Sequence, residues 1–197
     1  MKNWTPVILK LLCPITVPAD PKVPGSEDRE IAELTFRPFL YGEYKDALRR
    51  VDLKDEDAVF EALALVATGE TLPVIEQLKR PDYVSLSQEV HKYVTRKTED
   101  YLGEPADPDA PDLLLPLAVA GQERQALRLS MPALKAVKVM KKLETADQRA
   151  EWITAHCTGL FPEDVRALSL PDWNQLQERI NAFLNQPAAY FQNATSK

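Results

Sequence analysis

Apolar positions recur with two periods along the chain, and the change from one to the other marks out its elements. Leu115, Leu117 and Val119 alternate, Gly121-Gln122 can turn, and Leu127, Leu129 and Met131 alternate again, which predicts a β-hairpin. Earlier, Leu11 to Val17 and the positions Ile31, Leu34 and Phe36 flank the proline-rich loop Pro18 to Gly25, which predicts a second strand pair with a longer connection. The period then becomes helical. Ala133, Ala136, Val137, Met140 and Leu143 fall on one face, with Pro132 suited to a first helical position, Ser130 nearby as a cap, and Lys135, Lys138, Lys141 and Lys142 opposite. Thr145 with Gln148 forms a capping box, and Gly159 is placed to end that helix in a left-handed turn. Asp55 or Asp52, with Gly69, has the same role earlier in the chain. A final helix is expected to start at Asp82 in one half and at Asp172 in the other. Their stripes are Tyr83, Leu86, Val90, Tyr93 and Trp173, Leu176, Ile180, Phe183.

These two halves read alike. An offset of 90 residues sets Glu61–Val94 over Glu151–Leu184 without a gap: Thr68-Gly69 falls on Thr158-Gly159, Pro81-Asp82-Tyr83 on Pro171-Asp172-Trp173, and Leu86 on Leu176. Upstream, Leu11-Leu12-Cys13-Pro14-Ile15-Thr16-Val17 resembles Leu113-Leu114-Leu115-Pro116-Leu117-Ala118-Val119 at a larger offset. The expected fold is α+β and predominantly helical, with two tandem repeats, each a β-hairpin followed by three or four α-helices. Residues 1–102 form the first repeat, 103–112 a linker and 113–197 the second repeat with a C-terminal tail. Three prolines and four acids in the linker hold it extended.

Composition narrows the function. The 197 residues, 45% hydrophobic and 27% charged, are enough for one large or two small globular domains. A net charge of -6 has the wrong sign for affinity built on phosphate neutralisation, so no nucleic-acid partner is expected. The lysine face at 135–142 reads as a solvated helix face, without aromatic interleaving. Residues 113–197 hold ten bases and eight acids, whereas 1–102 hold 14 bases and 18 acids, so the halves differ in sign. Only Cys13 and Cys157 are present, which favours a reducing compartment. Lys10 interrupts the apolar stretch Val7–Val17 and Pro14 follows Cys13 at once, leaving no good cleavage site for an export signal. No window reaches about 18 uninterrupted apolar residues, so neither membrane insertion nor export is expected, and the cytoplasm is the expected location.

The residues offer little chemistry. His156 and Cys157 are neighbours, about 100° apart on a helix, and so form no hydrogen-bonded dyad; they read as a helix-end histidine and a small buried thiol. His91 reads as a structural or surface residue of the last helix. Asp55, Glu56 and Asp57 read as the acidic first turn of a helix rather than a cation site. No nucleotide-binding glycine loop and no zinc motif occurs. No catalytic, cofactor-binding or metal residue is expected.

In Thr158, Gly159, Leu160, Val165, Leu168, Asp172, Trp173 and Leu176 the second half resembles the tail assembly chaperones of Mu-type contractile-tailed bacteriophages. The first half keeps Thr68, Gly69, Ile75, Leu78 and Asp82 but has Glu70 for the leucine and Tyr83 for the tryptophan, as in a diverged duplicate. What this resemblance implies is a non-enzymatic assembly factor in the host cytoplasm. It would coat the helical tape measure protein and keep it soluble until tube subunits polymerise around it. The tail tube protein and a second copy of the chain are further partners in view. A structural or adaptor protein retained in the phage tail is the alternative reading, and an uncharacterised enzyme a distant one. Contact with the partner is expected through apolar residues left exposed beside the helices, with Phe39, Tyr41 and Phe161 the first candidates.

Overall fold

The computed structural model describes residues 4–19, 25, 27–103 and 107–194. The chain folds as two compact units, Trp4–Thr95 and the chain from Arg96 onward. Parts of the proline-rich loop, at 20–24, and of the expected linker, at 104–106, lie outside the described residues.

In the first unit, β1 (Val7–Val17) pairs antiparallel with β2 (Arg29–Phe36). Helices α1 (Tyr41–Leu48), α2 (Glu56–Thr68), α3 (Leu72–Ile75) and α4 (Arg80–Thr95) follow. Leu34, Phe36, Phe39, Ile75, Leu86 and Tyr93 are fully buried and form its core. The Phe39 and Tyr93 rings lie 4.5 Å apart, and the Tyr93 hydroxyl donates to the Phe39 carbonyl at 2.9 Å, so the phenol enters the core with its polar end satisfied.

The second unit opens with the short helix α5 (Glu99–Leu102), then the antiparallel pair β3 (Asp112–Val119) and β4 (Gln122–Ala126). Helices α6 (Leu134–Met140), α7 (Ala146–Thr158), α8 (Pro162–Val165), α9 (Leu170–Asn185) and α10 (Ala188–Ala194) complete it. Leu113, Leu114, Leu127, Leu168, Leu176 and Ile180 are its fully buried residues. The architecture is α+β with helix predominant, as expected, but β4 begins at Gln122 and ends at Ala126, so Leu127, Leu129 and Met131, expected in the returning strand, follow it.

Local signals fixed the helix ends. Thr145 Oγ1 accepts from Gln148 N–H and Gln148 Oε1 from Thr145 N–H, both at 3.1 Å, closing the capping box of α7. Asp55 caps α2 by accepting from Ala58 N–H at 3.0 Å. Gly69 and Gly159 follow α2 and α7 with φ of 71° and 68°, in the left-handed region that a side chain resists.

Two expectations about helix starts were wrong. Pro132 and Ser130 lie before α6, whose cap position is Ala133; the Ser130 N–H is instead donated to the Cys157 carbonyl at 2.8 Å. The final helices begin at Arg80 and Leu170, two residues ahead of Asp82 and Asp172, which therefore sit inside the first turn. Ser169 caps α9 by accepting from Asp172 N–H at 3.2 Å.

Candidate functional site

Both hairpins carry the same irregularity. In the first, Lys10 pairs with Glu33 and Ile15 with Ile31; in the second, Asp112 pairs with Ala126 and Leu117 with Arg124. Each first strand thus carries three more residues than its partner between matched pairs, and each bulge contains a proline, Pro14 or Pro116, that contributes no N–H. Bulged N–H groups lose their partner in the ladder and need another acceptor.

The acceptor is the aspartate in the first turn of α4 in the first unit and of α9 in the second. Asp82 accepts from Leu12 N–H at 3.0 Å. Asp172 accepts from Leu114 N–H at 2.7 Å, Leu115 N–H at 3.4 Å, the Ser169 hydroxyl at 2.6 Å and the Thr98 hydroxyl at 2.5 Å. Both carboxylates are buried. Burial pushes the Asp172 carboxyl above the ordinary carboxylate value, while its four donors pull the other way. Both carboxylates tie a strand to a helix.

His156 is exposed and stacks on Trp152, with ring centroids 5.3 Å apart. Cys157 is buried, which pushes its thiol up to about 11, far from a thiolate at neutral pH. His91 is exposed on α4, and Asp55, Glu56 and Asp57 load the start of α2. Among the described residues, no group of three His, Cys, Asp or Glu side chains could hold a metal ion, and no helix is long and apolar enough to cross a membrane.

The expected contact residues divide. Phe39 and Tyr41 are 0% and 3% exposed and belong to the core of the first unit, so the expectation that they stand free beside a helix is overturned. The stretch after β2 turns inward and delivers Phe39 against Phe36 and Tyr93. Phe161 is 68% exposed, at the cap position of α8. Sequence reasoning missed Met131, Leu134 and Val139, all exposed on or just before α6, where they share the surface with Lys135, Lys138, Lys141 and Lys142. Helical spacing puts Leu134 in one row with Lys138 and Lys141, and Val139 in the next with Lys135 and Lys142. The signal was there in Leu134 and Val139, which lie off the stripe of Ala136, Val137 and Met140. In the second unit α6 and the residues flanking it thus carry a mixed apolar and basic exposed face.

No curated protein and no solved structure matches the chain significantly. Residues 111–185, from the start of β3 to the end of α9, match the family described as phage tail assembly chaperone proteins, E, or 41 or 14, which supports a tail assembly chaperone role.

Proposed function

We propose that this chain is a tail assembly chaperone of the Mu type, built from two copies of one unit, that binds the tape measure protein and keeps it soluble in the host cytoplasm until tube subunits enclose it. The match over residues 111–185 carries this reading. The exposed apolar residues of the second unit agree with it, since a carrier of an amphipathic helical chain must offer apolar surface that releases its cargo without covalent chemistry. In this reading Phe161, Leu134 and Val139 meet apolar stripes of the cargo, and the lysines around α6 meet its acidic side chains.

Support for duplication comes from position. Helices α2, α3 and α4 start and end at Glu56–Thr68, Leu72–Ile75 and Arg80–Thr95; α7, α8 and α9 start and end 90 residues later in every case. Both hairpins share the bulge, and both bulges are tied to an aspartate in the first turn of the last of these helices. Two tethered copies can hold successive segments of one long partner, which raises affinity by about 10² to 10⁴ when both engage.

The test is to express the tape measure protein encoded with this chain in three cultures: alone, with the full chain, and with a chain carrying Leu134→Ser, Val139→Ser and Phe161→Ser. The expected order of soluble tape measure protein is highest with the full chain, intermediate with the variant and lowest alone. Equal solubility in all three would sink the reading. Finished tails should lack the chain; retention at a fixed copy number would assign a structural adaptor instead.

A further inference from the structure

A groove in the first unit and a helix in the second carry opposite charge. Between α2 and α4 lies a groove of about 450 Å³. Leu63 and Val90 are buried in its wall and Phe60 is half-buried, while Leu53 stands 65% exposed at its edge, where Glu56 and Asp57 are exposed too. Asp52 and Asp55 adjoin this edge in the chain, with Lys54 between them. The one arginine that lines the groove, Arg80, lies over the Tyr83 ring at 5.0 Å. The field there is negative all the same. The Tyr83 hydroxyl is raised above its ordinary value, by partial burial first and then by the charges of Asp57 and Glu61, against the opposing pull of Arg80.

The corresponding groove of the second unit, between α7 and α9, lacks this character. Ile153 and Ile180 repeat the apolar wall, but Ala146 replaces Glu56, Arg149 replaces Val59, and the space shrinks to about 240 Å³. What the second unit has instead is the complement. Leu134 and Val139 are exposed on α6, ringed by Lys135, Lys138, Lys141 and Lys142, and none of these four lysines has an ion-pair partner among the described residues. Helix α1, which follows the first hairpin as α6 follows the second, has no such face, since it carries Glu43, Lys45 and Asp46.

We propose that a second copy of the chain seats its α6 in the groove between α2 and α4. Leu134 and Val139 cover Leu53 and Phe60, and the lysines in their rows meet Glu56 and Asp57. Charge complementarity selects this occupant: an acid-edged apolar groove calls for a basic helix with exposed apolar residues, and every copy of the chain presents one. An acidic or an uncharged amphipathic helix satisfies only the apolar half of the groove. The two faces are unlike, so the copies join either reciprocally in a closed pair or in an open series. The contact stands on these faces and not on the chaperone reading; joined to that reading, it means that a second copy covers α6 until the cargo displaces it.

The experiment is analytical ultracentrifugation of the full chain alone, so its failure leaves the solubility test untouched. Association is expected with a dissociation constant of about 10 to 100 µM, weakening about tenfold or more between low and high salt. Leu134→Ser should also weaken it by about tenfold. A chain with Glu56→Lys and Asp57→Lys, and a chain with Lys138→Glu and Lys142→Glu, should each sediment as monomers. An equimolar mixture of the two should associate again, because each then offers the face that fits the other. Thermal melts check that every variant is folded, and should the groove pair fail to fold, the two α6 variants decide. The proposal is overturned if the chain stays monomeric up to about 1 mM. It is equally overturned if association ignores salt, if it survives the α6 substitutions, or if the folded variants stay monomeric when mixed.

Discussion

Asp172 reads in sequence as a helix cap, and at the residue scale that reading misses its purpose. Its partners Leu114 and Thr98 lie 58 and 74 residues away, beyond the reach of any local pattern. Asp172→Ala strips the acceptor from four buried or half-buried donors and should lower stability by about 2 to 4 kcal/mol in denaturant melts. The carboxyl is raised from its ordinary 3.8, so in the pH window above that value the folded state holds a proton the unfolded state has lost. Stability should therefore fall, relative to an Asp172→Asn chain, as pH rises from about 4 through the raised value. A pH series of melts on both chains checks the sign, and a rise with pH in the stability of the unsubstituted chain relative to the Asp172→Asn chain would show that the four donors outweigh burial. The cysteines give a second test at this scale. Cys13 is exposed and Cys157 is buried with its thiol raised to about 11, so iodoacetamide at neutral pH should label Cys13 alone until the chain unfolds, as peptide mass mapping would show.

Elements whose causes are local were legible. Gly69, Gly159 and the Thr145–Gln148 pair stopped and started helices where the sequence placed them, and of the two candidates Asp55 and Asp52 it is Asp55 that caps α2, because each acts within four residues of itself. Gly159→Ala forces a side chain into φ 68°; nothing crowds the new methyl, so the cost is backbone strain alone, about 1 kcal/mol in a thermal melt. Trp173 lies in the first turn of α9 on its buried side at 8% exposure, and Trp173→Ala should cost about 3 to 5 kcal/mol. Its counterpart Tyr83 is only half-buried, with its ring 4.6 Å from Phe60 and its hydroxyl donating to Asp57 at 3.3 Å, so Tyr83→Ala should cost less in the same assay. What could not be read was set by distance. The inward turn of Phe39 depends on Tyr93, 54 residues on, and the Ser130 N–H finds the Cys157 carbonyl rather than a helix start. Of the three expected contact residues only Phe161 is exposed, because exposure is decided by what packs alongside and not by residue type.

For the whole molecule, the tie between bulge and helix sets the order in which the protein can form as it leaves the ribosome. Leu12 emerges early but waits for Asp82, 70 residues later, before its N–H has a protein acceptor. Such closure across most of a unit gives a high contact order, so each unit should gain protection late and all at once, not strand by strand. Nascent chains stalled with residues 1–75 outside the tunnel should be cut rapidly by added protease within β1 and β2. Chains stalled with 1–95 outside should resist there, because the first unit is then complete. A hairpin resistant at both lengths would show that it stands without its helix. The first half of every new chain thus spends the synthesis of several dozen residues as an open strand pair, and its exposure to aggregation is governed by translation speed through α2 and α3.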